Sequence, residues 1–353
     1  MCLSQAAPNR YTYNILIDCY GRAHRPDLGL AIFGRLLKTG LGQNVVAYNT
    51  VIDGFFKEGE VDKAYDIFRE MKKQGISPDV VTYNSTIDGL CKSKAMDKAY
   101  DLFRKMKTQG ISLDVVTYTS TIDGLCKSKA MDKAYDLFRE MKKQGISPDV
   151  VTYNSIIDGL CKSKAMDKAY DLFREMKKQG ISPDVVTYNS TIDGLCKSKE
   201  MDKAEMVLQQ MLDAGVQPNN ITYNSLINGY SSLGMWKESV RMFKDMSNCG
   251  LTLVPDIYTY GVMINNLLKV DSFEEADNLF SSMEKSGCAP DSRLLNGIIR
   301  TLLRKAEVAK AGNYLSKIDE NNFAVEASTA SLLLSLFSME EQMNLGHIFV
   351  GLS

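Results

Sequence analysis

Four side chains of contrasting chemistry recur at a fixed spacing along the middle of the chain. In one copy they are Val81, Asn84, Asp88 and Lys92, three or four residues apart, so they fall on one face of an α-helix. The amide of Asn donates and accepts hydrogen bonds, the carboxylate of Asp accepts them, and Lys carries a positive charge. The same types return every ~35 residues, with Thr119 in place of Asn in one copy. A solvated helix face would also be polar, but a fixed order with one variable position favours a surface that reads a ligand.

The elements that position this face are two helices in each copy of a repeated segment. Residues 80–114 recur almost letter for letter at 115–149 and 150–184, and more loosely on both sides. With the first Val of each copy as position 1, apolar residues at positions 1, 4, 8, 11 and 12 predict a helix A. Those at positions 17, 20, 21, 24 and 27 predict a helix B. Gly110 suits a left-handed cap at the end of helix B, and Pro78 lies in an equivalent turn that stops the helix.

Because one hairpin cannot bury both of its apolar stripes, neighbouring hairpins must stack. The predicted fold is all-α, a right-handed superhelical α-solenoid of about nine helix-turn-helix repeats. The predicted repeats are residues 10–44, 45–79, 80–114, 115–149, 150–184, 185–219, 220–256, 257–291 and 292–326. Residues 1–9 are interpreted as the remnant of a preceding repeat, which suggests a truncated copy or a fragment, and residues 327–353 as a C-terminal capping helix. Thr86, Thr121 and Thr191 lie in otherwise apolar positions of helix A and are expected to bond back to the preceding turn.

Composition excludes several classes of protein. The chain has 353 residues, 44% of them hydrophobic, and 42 Lys and Arg against 43 Asp and Glu give a formal net charge of −1. Nucleic-acid binding through bulk positive charge is therefore disfavoured, and any such binding depends on where the charges lie. No apolar run is long enough to span a membrane.

The cysteines and histidines do not form a metal or catalytic pattern. Cys91, Cys126, Cys161 and Cys196 occupy equivalent positions of successive repeats, too far apart for disulfides, and are expected to be small buried groups. The sequence contains no CxxC pair, and its 2 His lie near opposite ends. We therefore expect no metal, no cofactor and no catalytic residue.

The repeated frame VVTYNSxIDGLCKSKxMDKAxxLFxxMxxxGISPD resembles the P-class pentatricopeptide repeat, and the near-identical copies resemble plant fertility-restorer-like members of that family. The resemblance covers residues 10–326. It implies binding of single-stranded RNA with one base per repeat.

In that family, position 5 and the last residue of each repeat read the edge of a base. The resemblance implies a pyrimidine reader in Asn14 with Asn44, uridine readers in Asn49 with Asp79, Asn84 with Asp114 and Asn154 with Asp184, a guanosine reader in Thr119 with Asp149, a cytidine reader in Asn189 with Asn219, and a further uridine reader in Asn224 with Asp256. Two additional residues near Leu253 and Val254 leave the last of these pairings open. Gly261 with Asp291 and Asn296 with Glu326 depart from the pattern and receive no base. The implied RNA core is 5′-YUUGUYU-3′.

Two further positions take roles by the same resemblance. Position 2, which sandwiches the base, is Tyr11, Val46, Val81, Val116, Val151, Val186 and Ile221. The position-13 cation, which contacts phosphate, is Arg22, Lys57, Lys92, Lys127, Lys162, Lys197, Lys269 and Arg304, with Ser232 as an exception.

The resemblance implies a monomer that acts on the processing, stability or translation of an organellar transcript, with a nuclease or other processing factor recruited separately. A mitochondrial location is expected, with a plastid, or the cytosol for a truncated chain, as alternatives. An enzyme is disfavoured because the HxE motif and paired Cys of deaminase-bearing members are absent. A scaffold that binds protein partners remains the alternative, although the tetratricopeptide signature W-x2-L-G-x2-Y is absent.

Overall fold

The computed structural model describes residues 8–41, 45–248 and 254–335, which are helical apart from turns and contain no strand. The chain divides into two compact units, Met1–Gly194 and Leu195–Ser353. Unit 1 contains α1 (Arg10–Arg22), α2 (Pro26–Lys38), α3 (Val45–Lys57), α4 (Val61–Lys73), α5 (Val80–Lys92), α6 (Met96–Thr108), α7 (Val115–Lys127), α8 (Met131–Lys143), α9 (Val150–Lys162) and α10 (Met166–Lys178). The division between the units falls within α11 (Val185–Lys197). Unit 2 contains α12 (Met201–Asp213), α13 (Asn220–Ser232), α14 (Trp236–Asn248), α15 (Ile257–Lys269), α16 (Phe273–Lys285), α17 (Ser292–Arg304) and α18 (Val308–Glu320), and residues 327–335 are also helical.

Odd-numbered helices are the A helices of the repeats, and most begin with the same cap. The Oδ1 atom of Asp114 accepts the backbone N–H of Thr117 at 2.8 Å, and the Thr117 hydroxyl lies 3.4 Å from the backbone nitrogen of Asp114. This reciprocal pair satisfies N–H groups that have no partner inside the helix. The motif Asp-x-x-Thr therefore fixes the start of helix A.

The core of unit 1 is built from the predicted apolar positions. Tyr83, Ile87 and Leu90 of α5 are buried, and so is Phe103 of α6. The Phe103 ring meets the ring of Tyr118 in the next repeat edge-to-face, with centroids 5.4 Å apart, a favourable arrangement for aromatic rings. Each B helix thus packs against the A helix that follows it, and successive A helices also pack together.

The turns and the polar core positions behave as predicted. Gly110 has φ of 69° and ends α6 in the left-handed conformation. The hydroxyls of Thr86, Thr121 and Thr191 donate to the carbonyls of Thr82, Thr117 and Thr187 at 2.7, 2.8 and 2.8 Å. The predicted back-bonding is therefore confirmed.

The repeated cysteines lie where neighbouring A helices approach most closely. Cys91 and Cys196 are buried, but Cys126 and Cys161 are only half-buried, so the expectation of burial is wrong for those two. Burial, with a smaller contribution from nearby aspartates, raises the pKa of the Cys91 and Cys126 thiols to about 12.

Unit 2 follows the same local rules. Its helices α13, α15 and α17 pack in sequence, and Leu295, Ile298 and Ile299 of α17 belong to one buried cluster with Phe280 and Met283 of α16. The predicted all-α repeat fold is confirmed. Of the predicted terminal segments, residues 1–7 and 336–353 lie outside the described residues, as do Asn44 and Leu253.

Candidate nucleic-acid interface

The A helices expose a row of apolar side chains at position 2. In unit 1 the exposed fraction ranges from 76% for Tyr11 to 51% for Val186, and in unit 2 Ile221 is 60% exposed. The other members are Val46, Val81, Val116 and Val151. Such side chains next to polar ones can contact the flat faces of planar ligands.

Beside this row, two position-5 amides form hydrogen bonds with the last residue of their own repeat. The Nδ2 of Asn84 donates to Oδ1 and Oδ2 of Asp114 at 3.1 and 3.4 Å, and its Oδ1 accepts from the Thr117 hydroxyl at 2.7 Å. Asn154 repeats the arrangement, donating to Asp184 at 3.1 Å and accepting from Thr187 at 2.6 Å. Because both ends of each amide are fixed, its orientation is set before any ligand arrives.

These hydrogen bonds keep the carboxylates charged. Burial alone would raise the pKa of Asp114, but hydrogen bonds from the backbone and hydroxyl of Thr117 and from Asn84 outweigh it, and the pKa lies below its ordinary value. The pKa of Asp184 is lowered in the same way by Thr187 and Asn154. The interface therefore presents hydrogen-bond acceptors at neutral pH.

The repeat with threonine at position 5 has a different polar edge. The Thr119 hydroxyl donates to the hydroxyl oxygen of Thr152 at 2.7 Å, because the single hydroxyl hydrogen of Thr152 is directed to Asp149. Thr152 in turn donates to Oδ1 of Asp149 at 2.7 Å. Thr119 and Asp149 are thus brought together through Thr152, and no amide is present between them.

The two N-terminal repeats differ from this pattern. The Oδ1 atoms of Asn14 and Asn49 are buried without a hydrogen-bond partner among the described residues. Ala47 occupies the place of the donating threonine next to Asn14. Asp79 caps α5 and accepts the Thr82 hydroxyl at 2.8 Å. Asn44, the predicted partner of Asn14, lies outside the described residues.

The next two position-5 residues, Asn189 and Asn224, have different surroundings. Asn189 is buried in unit 1, and in unit 2 Asn219 caps α13 by accepting the N–H of Thr222 at 3.2 Å. Despite the insertion, Asn224 and Asp256 share one network, because the Thr259 hydroxyl lies 2.8 Å from an oxygen of each. Burial alone would raise the pKa of Asp256, but hydrogen bonds from Thr259, Asn220 and Asn224 outweigh burial. The pKa of Asp256 therefore lies below its ordinary value.

The last repeat uses its position-5 amide for a structural purpose. Asn296 is fully buried, donates to the Ser292 carbonyl at 2.8 Å and accepts the N–H of Glu326 at 2.9 Å. Gly261 in the preceding repeat has no side chain at all. Both features agree with leaving these repeats without an assigned base.

The position-13 cations of unit 1 form ion pairs along their own helices. Lys92 lies 2.6 Å from Asp88, and Lys127 lies 2.5 Å from Asp123. The same pair forms for Arg22 with Asp18, Lys57 with Asp53 and Lys162 with Asp158. In unit 2, Lys197 is also exposed. Exposed pairs of this kind contribute ~0–1 kcal/mol, so a phosphate can compete for the cation.

Sequence reasoning missed the position-3 threonine, which joins two successive repeats. The buried residues Thr117, Thr187 and Thr259 each cap their own helix and hold the Asn of the preceding repeat. The signal was present as Asp-x-x-Thr at most repeat boundaries, a spacing typical of a capping box. The spacing of four residues between positions 9 and 13 likewise indicated the ion pairs.

The described residues contain no group of three or more His, Cys, Asp or Glu arranged to hold a metal ion. Within the same ranges, no helix combines the length and apolar character needed to cross a membrane.

Stacked helical hairpins whose A helices expose an apolar position-2 side chain beside a polar position-5 side chain define a class of helical-repeat proteins. The model of the PPR repeat family matches residues 43–92, 78–127, 113–162, 148–197, 183–232, 219–269 and 255–302, and a PPR repeat model matches residues 11–41. The chain belongs to the PPR repeat family.

Three matches to two known proteins illustrate the similarity. The pentatricopeptide repeat protein PPR10 from maize is 22% identical in sequence, and its crystal structure superposes with a TM-score of 0.59. The match covers 92% of this chain and 55% of the PPR10 chain, and it shows the fold. PPR10 in complex with an 18-nucleotide psaJ RNA element is 25% identical with a TM-score of 0.47, over 94% of this chain and 52% of that one. A 51-residue segment is 55% identical to "Protein Rf1, mitochondrial" of Oryza sativa subsp. indica, and it is 14% of this chain and 6% of Rf1. The chain thus spans about half of the solved PPR10 chain and a small part of Rf1.

Proposed function

We propose that the chain binds single-stranded RNA with one base per repeat, its N-terminal repeats toward the 5′ end, and that it prefers the core 5′-YUUGUYU-3′. The observation that supports this most is a pair of fixed amides, Asn84 and Asn154, each held between a carboxylate and a hydroxyl beside an exposed apolar side chain. Asn84 between Asp114 and Thr117 is the clearest example. PPR repeats are known to read RNA through a few side chains per repeat.

In this proposal the residues have the roles expected from the resemblance. Asn or Thr at position 5 and the last residue of the repeat contact the base edge, and the exposed position-2 residues contact its faces. The position-13 cations contact phosphates after exchanging their aspartate partners. Because Asn224 and Asp256 share one network, the seventh repeat takes a uridine like the second, third and fifth.

The proposed target is an organellar transcript. The proposed location is the mitochondrion, which is also the location given in the name "Protein Rf1, mitochondrial". Binding acts on processing, stability or translation, and any cleavage comes from a recruited partner. The chain itself acts as a monomer and is not an enzyme. A scaffold that binds protein partners is the second candidate, and titration with the RNA against a peptide library separates the two.

The experiment that tests base reading changes one side chain. In Thr119→Asn, the new amide is expected to accept from Thr152 and donate to Asp149, as Asn154 does with Thr187 and Asp184. Preference at the fourth base should move from G to U by about tenfold, the effect of about one hydrogen bond. Fluorescence anisotropy with RNAs that vary only at that base measures the change.

The matched control is Asn84→Thr, which should move the third base from U to G and leave the fourth unchanged. A fourth-base preference that is the same in the parent chain and in Thr119→Asn contradicts the proposed code. Cleavage of the labelled RNA by the parent chain with Mg²⁺, lost in a variant with Asp123→Asn and Asp158→Asn, would instead make the chain an enzyme.

A further inference from the structure

Position 15 of each repeat lies in the turn between helix A and helix B, in the left-handed conformation. Lys94, Lys129 and Lys164 of unit 1 have φ of 61°, 63° and 61° there, where the second repeat has Gly59 with φ of 75°. Glycine adopts this conformation without the steric clash of a Cβ, so each lysine stores strain that glycine would not. Lys92 already supplies the cation that the end of α5 favours. The strained lysines therefore indicate a role outside the turn itself.

The side chain at position 15 lies next to position 14 of the following repeat. In unit 1, Nδ1 of His24 lies 2.7 Å from Oε1 of Glu58. In unit 2, Oδ1 of Asp271 lies 2.5 Å from Nζ of Lys305. An oppositely charged group at position 14 thus provides a partner for a charged group at position 15.

In the middle of unit 1 this neighbour is a serine. Ser128 is the position-14 neighbour of Lys94, and Ser163 is that of Lys129. Both serine hydroxyls donate to carbonyls of their own helices at 3.0 Å. Lys94, Lys129 and Lys164 are exposed, and none of them forms an ion pair with a described residue.

The cations at positions 13 and 15 are close in the chain but differ in availability. Lys92 is the last residue of α5, and Lys94 follows two residues later at the same end of the helix. Lys92 lies 2.6 Å from Asp88, so a phosphate must displace a carboxylate to reach it. Because Lys94 has no such partner, a phosphate that approaches it displaces only water.

We infer that Lys94, Lys129 and Lys164 form a capture row, which makes the first contacts with the phosphates of an incoming RNA strand. Unpaired cations at one per repeat attract a polyanion across about 10 Å at 0.1 M salt. The strand is then held beside the position-13 lysines while these exchange their aspartates for phosphates. The capture row rests on the proposed RNA-binding function and adds to it the step that sets the rate of association.

The test follows the association of labelled 5′-UUUGUCU-3′ with the full chain by stopped-flow anisotropy. The variant with Lys94→Gly, Lys129→Gly and Lys164→Gly should associate about tenfold more slowly near 0.05 M salt, with a dissociation rate changed by less than about twofold. The difference in association should largely disappear near 0.5 M salt, because salt screens the charges. The melting temperature should rise, because glycine relieves the strain of a positive φ, and slower association then cannot come from unfolding.

A control variant removes the same charge elsewhere. Lys143→Gln, Arg174→Gln and Lys178→Gln change exposed cations of the B helices α8 and α10. Because these side chains lie away from the turns after the A helices, the control should slow association much less.

A second pair of variants leaves every lysine in place. Ser128→Glu with Ser163→Glu supplies a carboxylate beside Lys94 and Lys129, as Glu58 does beside His24. Association should then be about threefold or more slower than with Ser128→Gln and Ser163→Gln, which add side chains of the same size without charge.

The outcomes separate the capture row from the proposed function. Association of the triple glycine variant at the rate of the parent chain contradicts the capture row while leaving the base code intact. Equal losses in the glycine variant and in the B-helix control also contradict it, because RNA would then respond to net charge alone. A parent chain that is retained by polyglutamate but does not bind the RNA would make an acidic protein the partner of these lysines and contradict both proposals.

Discussion

The hydroxyl of Thr117 contacts side chains of two successive repeats. It lies 2.7 Å from Oδ1 of Asn84 and 2.8 Å from Oδ1 of Asp114, so one buried atom fixes both residues proposed to read the third base. Ala47 stands at the equivalent place and offers Asn14 no hydroxyl, whereas the hydroxyl of Thr82 next to Asn49 donates to Asp79. The Oδ1 atoms of both Asn residues are buried without a partner among the described residues. A buried acceptor without a partner costs about 1–3 kcal/mol.

A threonine at residue 47 should therefore stabilise the chain. In Ala47→Thr, the hydroxyl can donate to Asn14 as Thr117 does to Asn84. The gain, less the lower helix propensity of Thr, is expected to be about 0.5–1 kcal/mol in the free energy of unfolding. Urea unfolding followed by circular dichroism measures it.

Two reverse substitutions are the controls for this prediction. Thr117→Ala removes a cap and the bond to Asn84, whereas Thr82→Ala removes only a cap, because Oδ1 of Asn49 has no hydrogen-bond partner among the described residues. Thr117→Ala should therefore be the more destabilising of the two. An Ala47→Thr chain that is less stable than the parent contradicts this account.

For single residues, the sequence predicted which side chains are buried better than it predicted their hydrogen-bond partners. Periodicity identified Tyr83 and Ile87 as buried, because one helix is enough to decide which face is apolar. It did not predict that Thr117 bridges two repeats, since that contact depends on how adjacent helices are spaced. The ion pair of Asp88 with Lys92 is local and could have been read from its spacing.

Neighbouring A helices approach closely because glycine lies where they cross. A Cβ on Gly124 of α7 would lie 2.4 Å from Sγ and 2.8 Å from Cβ of Cys91 in α5. Gly159 of α9 stands in the same relation to Cys126, at 2.8 Å from Sγ. The repeat thus pairs a glycine with the cysteine of the preceding repeat, and this contact sets the spacing of the position-5 side chains.

Gly124→Ala should separate α5 and α7 and lower the free energy of unfolding by about 1–3 kcal/mol, the usual cost of overpacking. Gly312→Ala is the matched control, because nothing lies within 4 Å of a Cβ there. It should be neutral or stabilise α18 by about 0.5–1 kcal/mol, since alanine loses less backbone entropy than glycine. Equal effects of the two substitutions in thermal unfolding contradict a close approach at Gly124.

The capping carboxylates make helix stability depend on pH. The pKa values of Asp114, Asp184 and Asp256 are lowered in the folded chain by backbone and side-chain hydrogen bonds that outweigh burial. A lowered pKa means that their contribution is complete above the unfolded value of 3.8 and is lost as the pH falls through the folded value. The free energy of unfolding should therefore decrease as the pH drops below about 4.

A triple variant with Asp114→Asn, Asp184→Asn and Asp256→Asn should keep its caps, because Asn219 already caps α13 in the same way. Between pH 5 and pH 2 its stability should fall less than that of the parent chain. Parallel curves of stability against pH for the two chains would show that these carboxylates do not cause the acid sensitivity.

For the whole molecule, charge placement matters more than net charge. The chain has a formal net charge of −1, and the position-13 cations of unit 1 are paired with position-9 aspartates. Composition predicted that bulk charge would not hold RNA, and the sequence resemblance predicted phosphate contacts at position 13. Neither indicated that each contact would require a lysine to exchange one carboxylate for another anion.

If about five to eight phosphates are contacted, the logarithm of the binding constant should fall with the logarithm of salt concentration with a slope of about −3.5 to −5.6.

Removing those carboxylates should strengthen RNA binding. A variant with Asn in place of Asp53, Asp88, Asp123 and Asp158 frees four cations. Each of these exposed ion pairs is worth ~0–1 kcal/mol. The affinity for 5′-UUUGUCU-3′ should therefore rise about tenfold or more, and the dependence of binding on salt concentration should become steeper. The matched control replaces Asp66, Asp101, Asp136 and Asp171 with Asn, which changes the net charge equally but on the B helices. Because salt screens charges beyond about 10 Å, the control should gain much less near 0.1 M salt. Equal gains in the two variants, measured by anisotropy over a series of salt concentrations, would mean that RNA responds to net charge and that the position-13 row has no special role.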